Sequence, residues 1–243
     1  MRKMKVLFAV AAATVCIDCG GDNLPQLSQA TNLRILAIKA DPVSVRVGAN
    51  AATMTALITD PKGAGRAVDY TWSACIITQV DSTGSRCLQT LSTSSQTTTS
   101  MTPSFVFTNG FTGAVPVLIT LTATAGGESR TATKTLVVVE SSAQQISPPA
   151  LSALSVAGDR GVGTVVLASG RTYELEALIS GLGAKPYFIT WVTDGGSLDA
   201  DRTSGSAKNG FSPKNVSGSY SLYAILNDGE GGVDFKVRAV TVP

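Results

Sequence analysis

The chain has 243 residues, 44% apolar and only 15% charged, with 24 glycines; that is more than one sandwich-sized unit needs, and it suits short strands joined by many turns. It contains no histidine, which excludes Ser-His and Cys-His nucleophile pairs, His-ligated zinc or iron, and the commonest general base near neutral pH. Bases exceed acids by 19 to 17; discounting Arg2, Lys3, Lys5 and Asp18, which lie in a removable leader, brings them to parity and leaves no electrostatic footprint for nucleic acid.

Residues 1–19 open with Arg2-Lys3-Met4-Lys5, continue as an apolar run from Val6 to Ile17 and end at Cys19-Gly20-Gly21-Asp22. This is the pattern of a secretory signal, and the run is shorter than the roughly 20 residues a spanning helix needs. The Cys and the polar stretch after it resemble the lipid-attachment site of bacterial lipoproteins, which implies acylation of Cys19; Cys16, and plain cleavage near Ala11-Ala12-Ala13, are the alternatives. Residues 20–32, polar and without periodicity, read as a flexible tether.

Strand patterns then begin. Leu33–Ala40 and Val43–Val47 form a first strand split at Asp41-Pro42, because proline offers no ladder amide. Met54, Ala56 and Ile58 alternate with threonines, predicting one buried face. Tyr70, Trp72 and Ala74 share a face of the next strand, and Phe105-Val106-Phe107 marks another. Val117, Ile119, Leu121 and Ala123 alternate up to the turn Ala125-Gly126-Gly127, and a closing strand carries Val137 and Val139.

Residues 141–149, with Pro148-Pro149, lack periodicity and predict a hinge-like linker between a unit at 33–140 and one at 150–243. In the second unit Leu151–Val156 opens the pattern, and Tyr173, Leu175, Ala177 and Ile179 line one face of a strand. Ile189 and Trp191 repeat the aromatic strand. Tyr220, Leu222, Ala224 and Leu226 then pair through Asn227–Gly232 with Val233, Phe235, Val237 and Ala239. Val68–Trp72 aligns with Tyr187–Trp191, and the terminal hairpins align with each other, so the chain is a divergent duplication.

Trp191, Tyr220-x-Leu222 and Asp228-Gly229-Glu230-Gly231-Gly232 resemble the Ig-like and PKD-like repeats of bacterial surface proteins. Leu33–Ile38, Asp41-Pro42 and Trp72-Ser73-Ala74-Cys75 resemble uncharacterised lipoproteins of myxobacterial type. The resemblance covers most of 31–243 and implies an all-β fold, two tandem immunoglobulin-like Greek-key β-sandwich domains, with Trp72 and Trp191 as core anchors. Neither unit has the cysteines that antibody-type domains place on either side of that Trp.

Candidate chemistry is sparse. Glu174 and Glu176 fall on the polar face of a strand, and Gly158–Gly163 has glycines without the following helix that a phosphate cradle needs. Related modules bind calcium through loop carboxylates, which makes Glu140, Asp228 and Glu230 the candidate weak site. Cys75 and Cys87, the only cysteines in the two units, predict a disulfide in an oxidising compartment, worth about 3 kcal/mol by loop closure. The bridge would close a long insertion, 76–100, onto the Trp strand.

The expected function is a non-catalytic, exported lipoprotein of the cell envelope, anchored to the outer membrane by an acyl chain and serving as a spacer or binding module for a protein or glycan. It needs no cofactor and binds no nucleic acid. An accessory subunit of a secretion or motility assembly is the alternative, and a hydrolase comes third.

Overall fold

The computed structural model describes residues 28–243 apart from 48–50, 64, 82–83, 97–101, 106, 108–113, 141 and 214–216, and for 78–81 and 84–96 it describes the backbone only. The leader, with Cys16 and Cys19, and residues 20–27 lie outside the described residues.

The first unit contains β1 (Arg34–Asp41), β2 (Ser44–Arg46), β3 (Ala52–Thr59), β4 (Asp69–Asp81), β5 (Gly84–Gln96), β6 (Ser104–Phe105), β7 (Val115–Ala125) and β8 (Glu128–Val139). β1-β3-β6 form one sheet and β2-β8-β7-β4-β5 the other. The split at Asp41-Pro42, a cis bond, is where the chain changes sheet: β1 pairs antiparallel with β3, whereas β2 runs parallel to β8. Trp72, fully buried, packs in the core with Met54, Phe105, Ile119 and Leu121.

The second unit repeats this layout with β9 (Ala150–Val156), β10 (Val165–Val166), β11 (Tyr173–Ser180), β12 (Phe188–Thr193), β13 (Ser197–Leu198), β14 (Arg202–Ser204), β15 (Lys208–Ser212), β16 (Gly218–Asn227) and β17 (Val233–Val242). Its sheets are β13-β15-β11-β9 and β10-β17-β16-β12-β14, and β10 runs parallel to β17 as β2 does to β8. In both units the opening strand starts in one sheet and its continuation crosses to flank the last strand of the other. That is the immunoglobulin-like sandwich arrangement. Trp191, 1% exposed, anchors the second core and donates its indole N–H to Thr203 Oγ1 at 3.0 Å.

Two strands sit in a different frame from the one the sequence predicts. Gly126 and Gly127 both have positive φ, at 53° and 82°, as a two-residue hairpin turn requires. That turn fixes Val117 opposite Leu136 and Val115 opposite Val138. Leu136 and Val138 are therefore buried and Val137 is exposed, because residues opposite one another share a face. In β17 the apolar set Val233, Phe235, Val237 and Ala239 does not face the core. The opposite parity does, with Arg238, Val240 and Val242 buried at 3%, 0% and 2% exposure.

Val233 and Phe235 have another partner. With Ala30, Leu36, Ala37, Leu57, Val192, Tyr223 and Ile225 they make a third apolar cluster between the two units. The outer face of β1 and β3 packs on the outer face of β12, β16 and β17, so four sheets stack in series. Leu57 and Thr59 of β3, on the side predicted to be polar, are consequently buried.

The predicted tether is tied into this seam, and the predicted linker onto β2 of the first unit. Thr193 N–H donates to Ser28 O at 2.7 Å and Ala30 N–H to Thr193 O at 2.8 Å, so residues 28–30 add to β12 as a short parallel bridge. The linker contains no strand over its described residues. Its Ile146 nevertheless accepts from Val43 N–H at 2.8 Å and donates to Ser44 Oγ at 2.9 Å, and Arg46 Nε donates to Ala143 O. These bonds hold residues 143–146 against the first unit.

Registers also align the two units residue by residue. Trp72 lies opposite Leu121 and Leu121 opposite Ala132; Trp191 lies opposite Ala224 and Ala224 opposite Lys236. Ser73, Thr120, Thr122, Ser129 and Thr131 therefore correspond to Val192, Tyr223, Ile225, Val233 and Phe235. The face that is apolar in the second unit is hydroxyl-bearing in the first, where Thr122 and Thr131 Oγ1 atoms lie 3.0 Å apart.

Candidate functional site: the β4–β5 ribbon and the inter-unit loop

The Ser/Thr-rich run Leu91–Gln96 gives no apolar alternation, yet its backbone is strand. β5 pairs with β4 from Tyr70↔Gln96 to Asp81↔Gly84. β4 in turn pairs with β7 only from Asp69 to Ile76, so 77–81 and 84–87 extend past the sheet as a two-stranded ribbon. Register shifts around Cys75, Ile77 and Gln79 mark bulges, which bend and twist a strand locally. β5 is also the outer strand of its sheet and runs 13 residues. A long edge of that kind presents unpaired backbone groups that can template an added strand.

Cys75 is 5% exposed. In the ladder it faces Thr90, while Cys87 faces Ile77; the Cys87 side chain lies outside the described residues.

The candidate calcium ligands have other partners. Asp228, 4% exposed, accepts on Oδ1 from the amides of Glu230 at 2.9 Å and Gly232 at 2.7 Å. A Cβ at Gly232 would collide with Asp228 Oδ2 and Pro149 Cδ, which is why this turn ends in glycine. Glu230 pairs with Lys185 at 2.6 Å, and that hydrogen bond raises the Lys185 pKa. Lys134 reaches across from the first unit to donate to Gly231 O. Burial lowers the Lys134 pKa, opposed by the nearby Asp228 charge. Glu140 is exposed, and among the described residues no three Cys, Asp or Glu side chains gather to hold a metal. The loop is organised by its own backbone amides and by Lys134 and Lys185.

Glu174 holds Lys208 at 3.0 Å and Glu176 lies 3.5 Å from Arg160, both at the surface; the former bond raises the Lys208 pKa. Gly158–Gly163 forms the connection from β9 to β10, closed by reciprocal backbone bonds of 3.0 Å between Val156 and Asp159. The contribution of Lys134 and the seam residues was not signalled by any motif; the one available sign was the apolar parity of Tyr223, Ile225, Val233 and Phe235, which a single-faced strand does not need.

No protein-family model and no curated protein sequence matches the chain. Solved structures similar to it include Escherichia coli alpha-2-macroglobulin activated by porcine elastase, at 13% identity and a TM-score of 0.30 over 88% of this chain and 22% of that one. The immunoglobulin domains 1–4 of Sidekick-1 align at 13% identity and 0.27 over 88% and 49%. The D0-D1 domain of intimin aligns at 16% identity and 0.25 over 86% and 96%. The chain spans about a fifth of the alpha-2-macroglobulin chain it matches.

Proposed function

We propose that the protein is a non-catalytic binding module of the bacterial cell envelope, exported by its leader, acylated at Cys19, and contacting a protein or glycan partner through the β4–β5 ribbon. The observation that carries this reading is the ribbon itself: a sandwich needs only the part of β4 that pairs with β7, and the strands continue past it. Binding usually resides on extensions held by a rigid scaffold. A Cys75–Cys87 bridge belongs to the proposal, since it would cross-link the ribbon near its base and lower the ordering entropy that binding costs. Side-on stacking of the two units favours a rigid platform over a long spacer.

Replacing Val80–Ser85 by a two-residue turn shortens the ribbon and keeps both cysteines. The expected result is a folded, exported protein that loses envelope crosslinks made by the parent; an unchanged crosslinking pattern would refute the assignment. Metabolic labelling with a fatty-acid probe tests the anchor, and label that persists in Cys19→Ala would refute acylation there.

A further inference from the structure

Lys134 and Arg238 occupy the same place in the two units. Lys134 lies opposite Ile119 on β8 and Arg238 opposite Leu222 on β17, and the register alignment that matches Leu121 to Ala224 matches these pairs too. In the first unit the chain itself supplies what the cation wants: the Asp228–Gly232 loop brings the Gly231 carbonyl onto Lys134 Nζ, with the Asp228 charge close by. In the second unit no described segment does the same. Arg238 is 97% buried, and Asp159 Oδ1 takes only its Nη2, at 3.0 Å. Its Nε and Nη1 are buried without a hydrogen-bond partner, which is costly for a guanidinium.

A cavity of about 130 Å³ opens at this position between β9 and β17. Arg160, Lys236 and Arg238 line it, and no carboxylate does. Of the nearby acids, Asp159 is shared between Arg238 and the Gly161 amide at 2.7 Å, and Glu176 lies 3.5 Å from Arg160. Lys236 is exposed and has no ion-pair partner among the described residues. Gly161 stands over the guanidinium: a Cβ there would lie 3.6 Å from Arg238 Nη2. Two of the lining residues, Val162 and Val237, are large exposed hydrophobics, Val162 fully so. An apolar rim around a buried, under-satisfied cation fits a protein surface better than a hydrated inorganic ion.

We propose that the slot between β9 and β17 binds a side-chain carboxylate presented on a turn of a protein partner, with Arg238 as the buried donor and Arg160 and Lys236 as flanking cations. The occupant is the counterpart of the loop that meets Lys134 in the first unit, where a cavity of about 280 Å³ remains between β1, β8 and the second unit. This site is separate from the β4–β5 ribbon, so either assignment can fail without the other.

The test uses the folded protein and a capped peptide of residues 227–232, Asn-Asp-Gly-Glu-Gly-Gly, with sodium sulfate as comparator at constant ionic strength. NMR detection of the Arg238 Nε–H resonance reports on the slot directly. The peptide is expected to shift that resonance saturably, and Lys236→Gln or Arg160→Gln, both at exposed positions, should weaken binding by about tenfold each. A peptide carrying Asp228→Asn and Glu230→Gln should not bind. A resonance that does not move, or affinity unchanged by both variants, overturns the proposal. Sulfate binding as tightly as the peptide also overturns it, in favour of a small inorganic oxyanion.

Discussion

Thr59 Oγ1 and Tyr223 OH lie 2.9 Å apart in the buried seam, one from each sandwich. Tyr223→Phe leaves the Thr59 hydroxyl, 5% exposed as a residue, without its partner and should lower stability by about 1–2 kcal/mol. Adding Thr59→Val removes the orphan, so the double variant should recover most of that loss. Urea denaturation of the parent, both singles and the double closes the cycle; additive losses would show that the hydroxyls are not coupled.

The seam should also make the two sandwiches unfold together. Ile225→Asp puts an unpaired charge into the apolar cluster shared with Leu57 and Val192, at a cost of about 3 kcal/mol or more. The expected outcome is one calorimetric transition in the parent and two in the variant. Two transitions in the parent would show that the units are independent.

Adjacent valines in β8 should respond in opposite ways. Val138→Ala removes fully buried apolar volume and should cost about 2 kcal/mol, while Val137→Thr, on the exposed side, should stay within about 0.5 kcal/mol. Chemical denaturation of the two variants distinguishes this frame from the one the sequence suggests.

Lys134 makes stability depend on alkaline pH with a defined sign. Its folded pKa lies below the ordinary 10.5 because burial disfavours the charge. Between the folded value and 10.5 the unfolded chain binds more protons, so this group's contribution rises as pH increases through that window. Lys134→Met removes the titration. The parent should gain stability relative to the variant as pH is raised towards 10.5, and parallel pH profiles would refute this.

The alternating strands were legible because one face meets a core and the other meets water: Tyr70-Trp72-Ala74, Val117 to Ala123 and Tyr220 to Leu226 all lie as their periodicity says. Legibility fails where apolar residues fill both parities. Leu136-Val137-Val138-Val139 offers two equivalent frames, and only the register imposed by the Gly126-Gly127 turn chooses between them. In β17 the second apolar parity serves a neighbour that lies elsewhere in the sequence. β5 escaped notice because a polar edge strand carries no periodic signal, and Ser28–Ala30 because a backbone bridge leaves no side-chain pattern. The DGxGG turn was visible as a motif, but its partner Lys134 is 97 residues from Gly231, a relationship that exists only once the sheets are stacked.

The joint between the sandwiches is head-to-tail: unlike surfaces meet, and an interface of that kind could in principle recruit copy after copy into a filament. The β1–β3 face of each molecule is already covered by its own second unit, so growth through the same geometry would require the equivalent β9–β11 face of another molecule to be received by the β7–β8 face of the first unit. That face presents Ser73, Thr120, Thr122, Ser129 and Thr131 where the receiving face has Val192, Tyr223, Ile225, Val233 and Phe235. Five hydroxyl side chains thus give that face the polar character of the terminal repeats of solenoids, which stop further stacking. Converting Thr120, Thr122 and Thr131 to the corresponding Tyr, Ile and Phe would remove the stop and turn a terminated pair into a polymerising one.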